Sequence, residues 1–533
     1  MDVRINSPRT PISGHSNENY SFGRSNLTRS IIWSWAGHLV FLIAGFLLPR
    51  FIDRNIGQTM LGVWDFSWSL TGYFSIILLG VGSSVNRYVA MHLAEENVQG
   101  LNESISSVFF VQGIMGIVIL IITALVIWII PIFWSEKLGS LAPTARWLVF
   151  FLGFSLALST ASGAFDGVLT GCHRWDLYNS INSGSHAVGL IAMLIALLLG
   201  AGILWLGFIY LLETVLRVLI RQVVVNRVCP FLEVSRGFIK LSVAMGMLQF
   251  GGKTYANEVL RTILYQTNNI LIMTYMGPMM LAVYSRPMHL VQHVRTLSLK
   301  LAHTITPVAS EMEVAGDKKE LGELVLKMAR YNVAMALPPI LFLCFLGGPL
   351  LLFWMGTGYQ QDILIAILAA GHLLTIANQP LQTAMIGLNA HGRLAKFTFF
   401  ATITSLILCY IALAFFNGGL ISAAISIVAP LMVADGIFIT SYACKKLNLP
   451  LRYYARKVWG ETLLCVIPFV ICLFLFRILL EPINALFCGV FIGGFVLLVI
   501  YWKWMMPSSL RARVVETAVK SSLIRRICTL QKN

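Results

Sequence analysis

Charged residues are scarce in this chain. Asp, Glu, Lys and Arg make up only 12% of its 533 residues, whereas hydrophobic residues make up 57%, and the mean hydropathy is +0.78. Soluble domains carry about twice that share of charge, so the composition excludes a soluble globular protein. Apolar runs of about 20 residues recur along the chain and are continuous rather than alternating, which excludes a β-barrel. The predicted fold class is an all-α polytopic membrane protein.

Signatures of several other protein classes are also missing. The nine cysteines show no Cys-x-x-Cys pairing, so we predict neither a disulfide framework nor a zinc site. No Walker A pattern occurs, which argues against ATP hydrolysis by this chain. Residues 1–27 lack an apolar core, so no signal peptide is expected there. The longest predicted external loop, about 131–145, is too short for the paired acids of a glycan-processing domain.

The apolar pattern predicts fourteen membrane spans, with both termini cytoplasmic. The predicted spans are 31–49, 61–84, 106–130, 146–169, 180–200, 203–221, 244–274, 279–307, 328–352, 363–388, 394–416, 419–443, 458–479 and 483–505. With this topology five of the 39 Lys and Arg face outward, five lie within spans, and the remaining 29 face the cytoplasm. That asymmetry follows the positive-inside rule. The net charge of +16 is therefore explained by topology and anionic lipids, and no nucleic-acid partner is predicted.

An internal repeat divides the chain into two similar halves. The segment GQTMLGVW at Gly57–Trp64 matches GPMMLAVY at Gly277–Tyr284 at four of eight positions. A weaker match, at nearly the same offset, relates Gly171-Cys-His-Arg174 to Gly387-Leu-Asn-Ala-His-Gly-Arg393. Each half would contain six spans, so the halves run in the same direction, as parallel repeats do.

The repeat suggests boundaries for the parts of the chain. We predict a disordered cytoplasmic tail at 1–27, a six-span lobe at 28–222, a cytoplasmic linker at 223–243, a second six-span lobe at 244–444, two additional spans at 445–506 and a basic cytoplasmic tail at 507–533.

A cationic stripe lies inside one of the predicted spans. Polar residues separated by three or four positions occupy one helix face: Arg286, His289, His293, Thr296, Lys300 and His303. The preceding span has a second polar ridge at every fourth position: Gln249, Lys253, Asn257, Arg261, Tyr265 and Asn269. Ionisable groups are costly in hydrocarbon and usually line a substrate path, here one suited to an anion. Alternatively, the segment 281–307 lies on the membrane surface as a basic amphipathic helix. The equivalent segment of the other half, 61–84, is apolar enough to span the membrane, which favours a span for 281–307 as well.

The layout of this sequence resembles the polysaccharide transporter family of the multidrug/oligosaccharidyl-lipid/polysaccharide exporter superfamily. The similarity rests on the two six-span halves, the two extra C-terminal spans and the GQTMLGVW motif, and it covers roughly 26–506. It implies a flippase that moves polyprenyl-pyrophosphate-linked oligosaccharides across the bacterial cytoplasmic membrane by alternating access. The implied partners are that lipid-linked sugar, membrane lipids and other polysaccharide-assembly proteins. No cofactor is implied, and coupling to Na⁺ or H⁺ is left open.

Under this hypothesis the cations receive a pyrophosphate through charge-assisted hydrogen bonds. Arg286 is the first candidate, and we expect water to solvate it when substrate is absent. The other candidates are Lys253, Arg261, His289, His293, Asn257, Gln249 and Arg87. Several have a structural alternative: Arg261 could pair with Glu258, and Arg87 could contact lipid phosphate.

Coupling to a cation gradient would need a carboxylate inside the membrane. The candidates are Asp65, Asp166 and Asp435, each of which could instead have a structural role. Glu213 has Arg217 four residues later and is predicted to form a structural ion pair.

Other functions remain open on the sequence alone. A multidrug or small-metabolite antiporter of the same superfamily would need an acidic or apolar cavity, which the two basic spans do not favour. A membrane-embedded polymerase or glycosyltransferase would need the large loop that is missing. A scaffold protein would not need a buried basic stripe.

Overall fold

The computed structural model describes residues 24–78, 81–302 and 305–506, together with 508, 511 and 512. At 24–32, 78, 81–84, 249–257, 307, 314 and 391 it describes the backbone without the side chain. The chain divides into two compact units, Met1–Ala282 and Val283–Asn533. Most of the predicted tails lies outside the described residues, but the first helix already begins at Arg24, inside the range predicted as a tail.

The described part of the first unit is built from nine helices, and a tenth runs across the boundary into the second. They are α1 Arg24–Ile56, α2 Gln58–Gly72, α3 Val81–Ala94, α4 Val98–Leu138, α5 Ala142–Ala161, α6 Ala164–Gly171, α7 Trp175–Leu198, α8 Ile203–Val228, α9 Leu241–Met276 and α10 Pro278–Ala302. A core of buried apolar side chains from α3, α4, α6 and α8 holds this unit together, including Val85, Ile105, Val168 and Val225.

The second unit continues with eleven further helices in its described part. They are α11 Ile305–Ala315, α12 Lys318–Met355, α13 Asp362–Ala377, α14 Gln379–Gly387, α15 His391–Ala414, α16 Leu420–Val433, α17 Thr440–Lys446, α18 Leu451–Ala455, α19 Glu461–Leu479, α20 Pro482–Cys488 and α21 Gly494–Ile500. Short π-helical segments, including Ala434–Ile439 and Arg456–Gly460, join some of them. Its core includes Val325, Leu381, Ala443 and Phe469.

Segments able to cross a membrane occur throughout the chain. Among the described residues ten are long and apolar enough, and one of these, Val98–Ala161, contains both α4 and α5. Large apolar side chains remain exposed on them, for example Phe133 at 69% and Leu464 at 67%. Such faces suit lipid rather than water. The predicted all-α polytopic class is confirmed. The count of fourteen stays a prediction, since 61–84, 244–274 and 279–307 are helical where described but are not among the ten.

The two copies of the first repeat motif have the same backbone conformation. Gly57 and Gly277 have φ values of 97° and 85°, a region that glycine enters without strain. Each glycine separates two helices, and each accepts a hydrogen bond at 3.2 Å from the amide four residues later, at Leu61 and Leu281. The matching residues of the two motifs therefore specify the same helix–glycine–helix junction, which occurs twice in the chain.

The second, weaker repeat also corresponds to a shared turn. Helices α6 and α14 end at Gly171 and Gly387, and two residues later His173 and Asn389 are left-handed, with φ values of 58° and 51°. A non-glycine residue in this region is uncommon, so its recurrence at the equivalent place in both halves is informative.

The glycines that end α6 and α14 also pack on equivalent helices. A Cβ at either position would lie within 3.4 Å of a neighbouring helix, so glycine permits the close approach. The atoms approached belong to Asn86 and Val89 of α3 for Gly171, and to Thr306, Ala309 and Ser310 of α11 for Gly387. Asn86 and Val89 are offset from Thr306 and Ala309 by the same distance in sequence that separates Gly57 from Gly277. The repeat thus extends from sequence into packing.

Candidate functional site

The polar stripe predicted in 281–307 lies on α10, where its depth changes along the helix. His289, Thr296 and Lys300 are exposed, and His293 is half-buried. Arg286, nearest the N-terminal end, is only 1% exposed. The expectation that water solvates Arg286 is therefore wrong for this conformation, because three- and four-residue spacing identifies a helix face without giving its depth. His303 lies outside the described residues.

Hydrogen bonds fix the opposite face of α10 within the second unit. The hydroxyl of Ser298, which is fully buried, lies 2.6 Å from Oδ1 of Asn332 on α12. Asn332 donates from Nδ2 to the carbonyl of Ile376 at 2.9 Å, close to the break between α13 and α14. Gln379 of α14 donates to the carbonyl of Arg295 at 3.4 Å. Buried, paired polar groups specify one arrangement, so these bonds set which face of α10 carries the exposed polar side chains.

The polar ridge on α9 divides into parts with different roles. The backbone of Gln249, Lys253 and Asn257 lies in α9, and their side chains lie outside the described ones. Arg261 is half-buried, and its predicted pairing with Glu258 stays a prediction. Farther along, Asn269 donates from Nδ2 to the Ser69 hydroxyl on α2 at 3.0 Å. The last part of the ridge therefore packs helices together.

Asp435 is the centre of a buried hydrogen-bonded cluster in the second unit. The residue is 4% exposed and lies in the π-helical segment that follows α16. Its Oδ2 accepts from the Thr375 hydroxyl at 2.5 Å, and its Oδ1 accepts from Nε2 of Gln382 at 2.9 Å. Asn378, at the break between α13 and α14, donates to the Asp435 carbonyl at 2.7 Å. A helix break thus meets a π segment around a carboxylate, and π segments occur often at functional sites.

Asp166 on α6 is in direct contact with a cation. Its Oδ2 lies 2.8 Å from Nη1 of Arg221 on α8. Arg221 also donates from Nη2 to Oδ1 of Asn182 at 3.0 Å. Beside them the predicted Glu213–Arg217 pair is confirmed at 3.3 Å. The charges of this group offset one another, which suits a structural role better than the receipt of a mobile cation.

The two remaining candidates differ in exposure. Asp65 on α2 is 8% exposed, and its backbone carbonyl accepts from the Ser69 hydroxyl at 2.8 Å. Arg87 on α3 is exposed, as a contact to either substrate or lipid phosphate requires. Their proposed roles in coupling and binding stay predictions.

A pair of thiols at two helix ends was not predicted from the sequence. Cys172 follows α6, Cys229 follows α8, and their Sγ atoms lie 3.0 Å apart. The hydrogen bond with Cys229 lowers the pKa of the Cys172 thiol, burial opposes this, and Arg174 adds to the lowering. The same contact, together with burial, raises the pKa of Cys229. The two cysteines are too far apart in the sequence to form a motif, so only packing reveals the pair.

Known proteins match this chain over most of its length. A family model described as "Polysaccharide biosynthesis protein" matches residues 89–364. A candidate O-antigen transporter of Shigella flexneri is 22% identical over 417 residues, which cover 75% of this chain and 94% of that protein.

Solved structures show where this fold occurs. A multidrug resistance MATE family transporter of the MOP superfamily, in an inward-facing conformation, superposes with a TM-score of 0.66 at 15% identity, over 77% of this chain and 94% of its own. The lipid II flippase MurJ, in an inward closed conformation, superposes with a TM-score of 0.66 at 12% identity, over 89% of this chain and 100% of its own. A MOP superfamily transporter from Pyrococcus furiosus superposes with a TM-score of 0.60 at 16% identity, over 79% of this chain and 95% of its own. At these identities the similarity establishes the fold.

Proposed function

Because the chain belongs to the polysaccharide biosynthesis protein family, we propose that it is a flippase for a lipid-linked oligosaccharide. The resemblance predicted from the sequence is confirmed, and the fold is that of MOP superfamily transporters. The proposed substrate is a polyprenyl-pyrophosphate-linked oligosaccharide, which the protein transfers between leaflets of the cytoplasmic membrane by alternating access. It acts without bond-making chemistry, as a step in the assembly of a surface polysaccharide.

The polar face of α10 is the single observation that carries this proposal. His289, Thr296 and Lys300 are exposed on one face of a helix that continues to the buried Arg286. Lys and Arg bind phosphate oxygens through charge-assisted bonds, each contributing about 1.5–3 kcal/mol. A cationic drug would be repelled by the same face, so the charge favours an anionic head group over the substrates of a multidrug antiporter.

Asp435 is the coupling residue that the geometry favours. Its carboxylate oxygens accept from the Thr375 hydroxyl and from an amide nitrogen of Gln382, at the place where a helix break meets a π segment, whereas Asp166 pairs with Arg221 in a structural group of charges. Thr375 and Gln382 also carry oxygens that a Na⁺ ion accepts as ligands. A proton is the alternative coupling ion at the same carboxylate.

Leaflet-resolved labelling of the glycolipid tests the proposed function. Purified protein is reconstituted into liposomes that contain a polyprenyl-pyrophosphate-linked oligosaccharide, and the fraction open to an added glycosidase is followed with time. We expect the protected glycolipid to become accessible with the wild-type chain and not in empty liposomes.

A matched pair of variants links that activity to α10. Arg286→Ala should slow the transfer strongly, whereas Lys446→Ala, which removes an exposed cation from α17, should not. Equal rates for empty and protein-containing liposomes would exclude flippase activity. Proton- or Na⁺-driven release of a cationic dye by the same liposomes would instead support the multidrug antiporter.

A further inference from the structure

A cavity opens at one end of two apolar helices, α12 and α19, in the second unit. Its volume is about 490 Å³, within the range of small-ligand sites. Charged and aromatic side chains line it from α12, α18 and the adjoining π segment: Glu323, Lys327, Arg330, Tyr331, Tyr453 and Lys457. We call it the headgroup cavity. None of these residues belongs to the α10 stripe or the Asp435 cluster.

The headgroup cavity lies where charge gives way to hydrocarbon-compatible sequence. Beyond Tyr331, the rest of α12 to Met355 contains no charged residue. Beyond Glu461, α19 contains none before Arg477. Tyrosine and basic side chains are enriched at this level of a membrane protein, the boundary between water and acyl chains. A molecule bound here would therefore have its polar part at the membrane surface and its apolar part in the bilayer.

The charges in the cavity are organised around a shared carboxylate. Glu461 pairs with Arg330 at 2.8 Å and with Lys457 at 3.5 Å, which joins α12 to the start of α19 and holds both cations at the cavity. Lys327 is exposed and has no ion-pair partner within the described part of the chain. Among the described side chains, three cations thus face two carboxylates, those of Glu323 and Glu461, and the excess charge is positive.

We propose that the headgroup cavity binds the phosphoryl headgroup of an anionic membrane lipid. The phosphate oxygens accept from Lys327, Lys457 and the tyrosine hydroxyls. Glu323 accepts from headgroup hydroxyls, as in phosphatidylglycerol, and the acyl chains lie along the apolar surface of α12 and α19. This assignment does not depend on the transported substrate, because it concerns a separate place in the fold.

Native mass spectrometry of the full-length protein in detergent tests the proposal. The delipidated protein is titrated with phosphatidylglycerol, phosphatidylethanolamine, a polyprenyl phosphate or inorganic phosphate, and the apparent Kd of each is measured. The Lys327→Ala/Lys457→Ala variant should bind phosphatidylglycerol at least about tenfold more weakly, because the loss of one charge-assisted bond already produces that factor and the variant loses two. Lys319→Ala, which removes an exposed cation from the same helix outside the cavity, should bind like the wild type.

Each outcome supports or overturns the assignment. Weaker binding of phosphatidylglycerol by the double variant supports it, and a larger loss for polyprenyl phosphate identifies the carrier lipid as the source of the phosphate. Tyr331→Phe removes one hydroxyl from the cavity without altering a charge, so a smaller loss of affinity in this variant supports the site independently of folding. Equal affinity in the double variant and Lys319→Ala would overturn the proposal. Tighter binding of phosphatidylethanolamine, or binding of inorganic phosphate without lipid selectivity, would overturn it as well.

Discussion

Replacing Gly62 by alanine should destabilise the protein strongly. Gly62 lies on α2 and contacts the start of α10. A Cβ added at this position would lie 1.8 Å from the carbonyl oxygen of Pro278, far inside any real contact. The obstacle is backbone, so no side-chain rotation relieves it. Glycine is used here because it lets two helices approach closely.

The size of the effect follows from that distance. Real Cβ atoms essentially never approach another heavy atom below 3.0 Å, so α2 and the start of α10 must separate by about 1.2 Å. Overpacking in a rigid core costs about 1–3 kcal/mol, and a backbone obstacle belongs at the upper end of that range. An unfolding entropy of about 2.1 cal/mol/K per residue amounts to about 1.1 kcal/mol/K for 533 residues, so about 3 kcal/mol corresponds to a decrease in Tm of about 3 °C.

Gly113 provides the matched control. It lies inside α4, a helix long and apolar enough to cross a membrane, and no described atom lies within 4 Å of an added Cβ. Gly113→Ala should leave Tm unchanged or raise it slightly, because alanine restricts the unfolded chain. Both variants are purified in the same detergent, and loss of the monodisperse peak is followed with temperature. A Tm for Gly62→Ala that lies close to that for Gly113→Ala, with no measurable decrease, would refute the close approach of the two helices.

Three further predictions concern function and redox chemistry. Arg286→Ala should reduce glycolipid transfer at least about tenfold, because one charge-assisted bond is lost. Arg286→Lys should retain part of the transfer, because the charge remains. Full transfer by the alanine variant would exclude a binding role for Arg286. Asp435→Asn should keep membrane abundance near normal, because the amide still accepts one hydrogen bond, and should remove the dependence of transfer on an imposed Na⁺ or pH gradient. Unchanged gradient dependence would assign Asp435 a structural role. Glutathione disulfide should oxidise Cys172 and Cys229 to a disulfide, and the reaction should become faster as the pH rises towards the lowered pKa of Cys172. Mass analysis after digestion should find the linked peptides. Their absence would contradict the contact between the two thiols.

Features that depend on spacing along one helix could be predicted from the sequence. The Glu213–Arg217 pair follows from a separation of four residues, and the exposed polar face of α10 follows from separations of three and four. The junctions at Gly57 and Gly277 follow from a repeated motif whose glycines adopt the same positive φ. In each case the information lies within a few consecutive residues.

Contacts between distant helices could not be predicted in this way. Asp166 and Arg221 come from α6 and α8, with the whole of α7 between them in the sequence, and Asp435 and Thr375 are likewise remote along the chain. Such pairs depend on which helix faces meet, and a single sequence does not specify that. The burial of Arg286 has the same cause, because depth is set by the surrounding helices.

The polar face of α10 has a defined length and a regular spacing between its polar side chains. From Arg286 to Lys300 it extends about 21 Å along an α-helix, compared with about 30 Å for the hydrocarbon layer of a bilayer. Its polar side chains recur every three or four residues, at steps of about 5 Å, which is about one helical turn. If the proposed substrate follows this face, a phosphate that leaves one polar side chain has the next within one turn of the helix. The face would therefore divide a long crossing into several small exchanges, and no single contact would have to be so tight that it delays release.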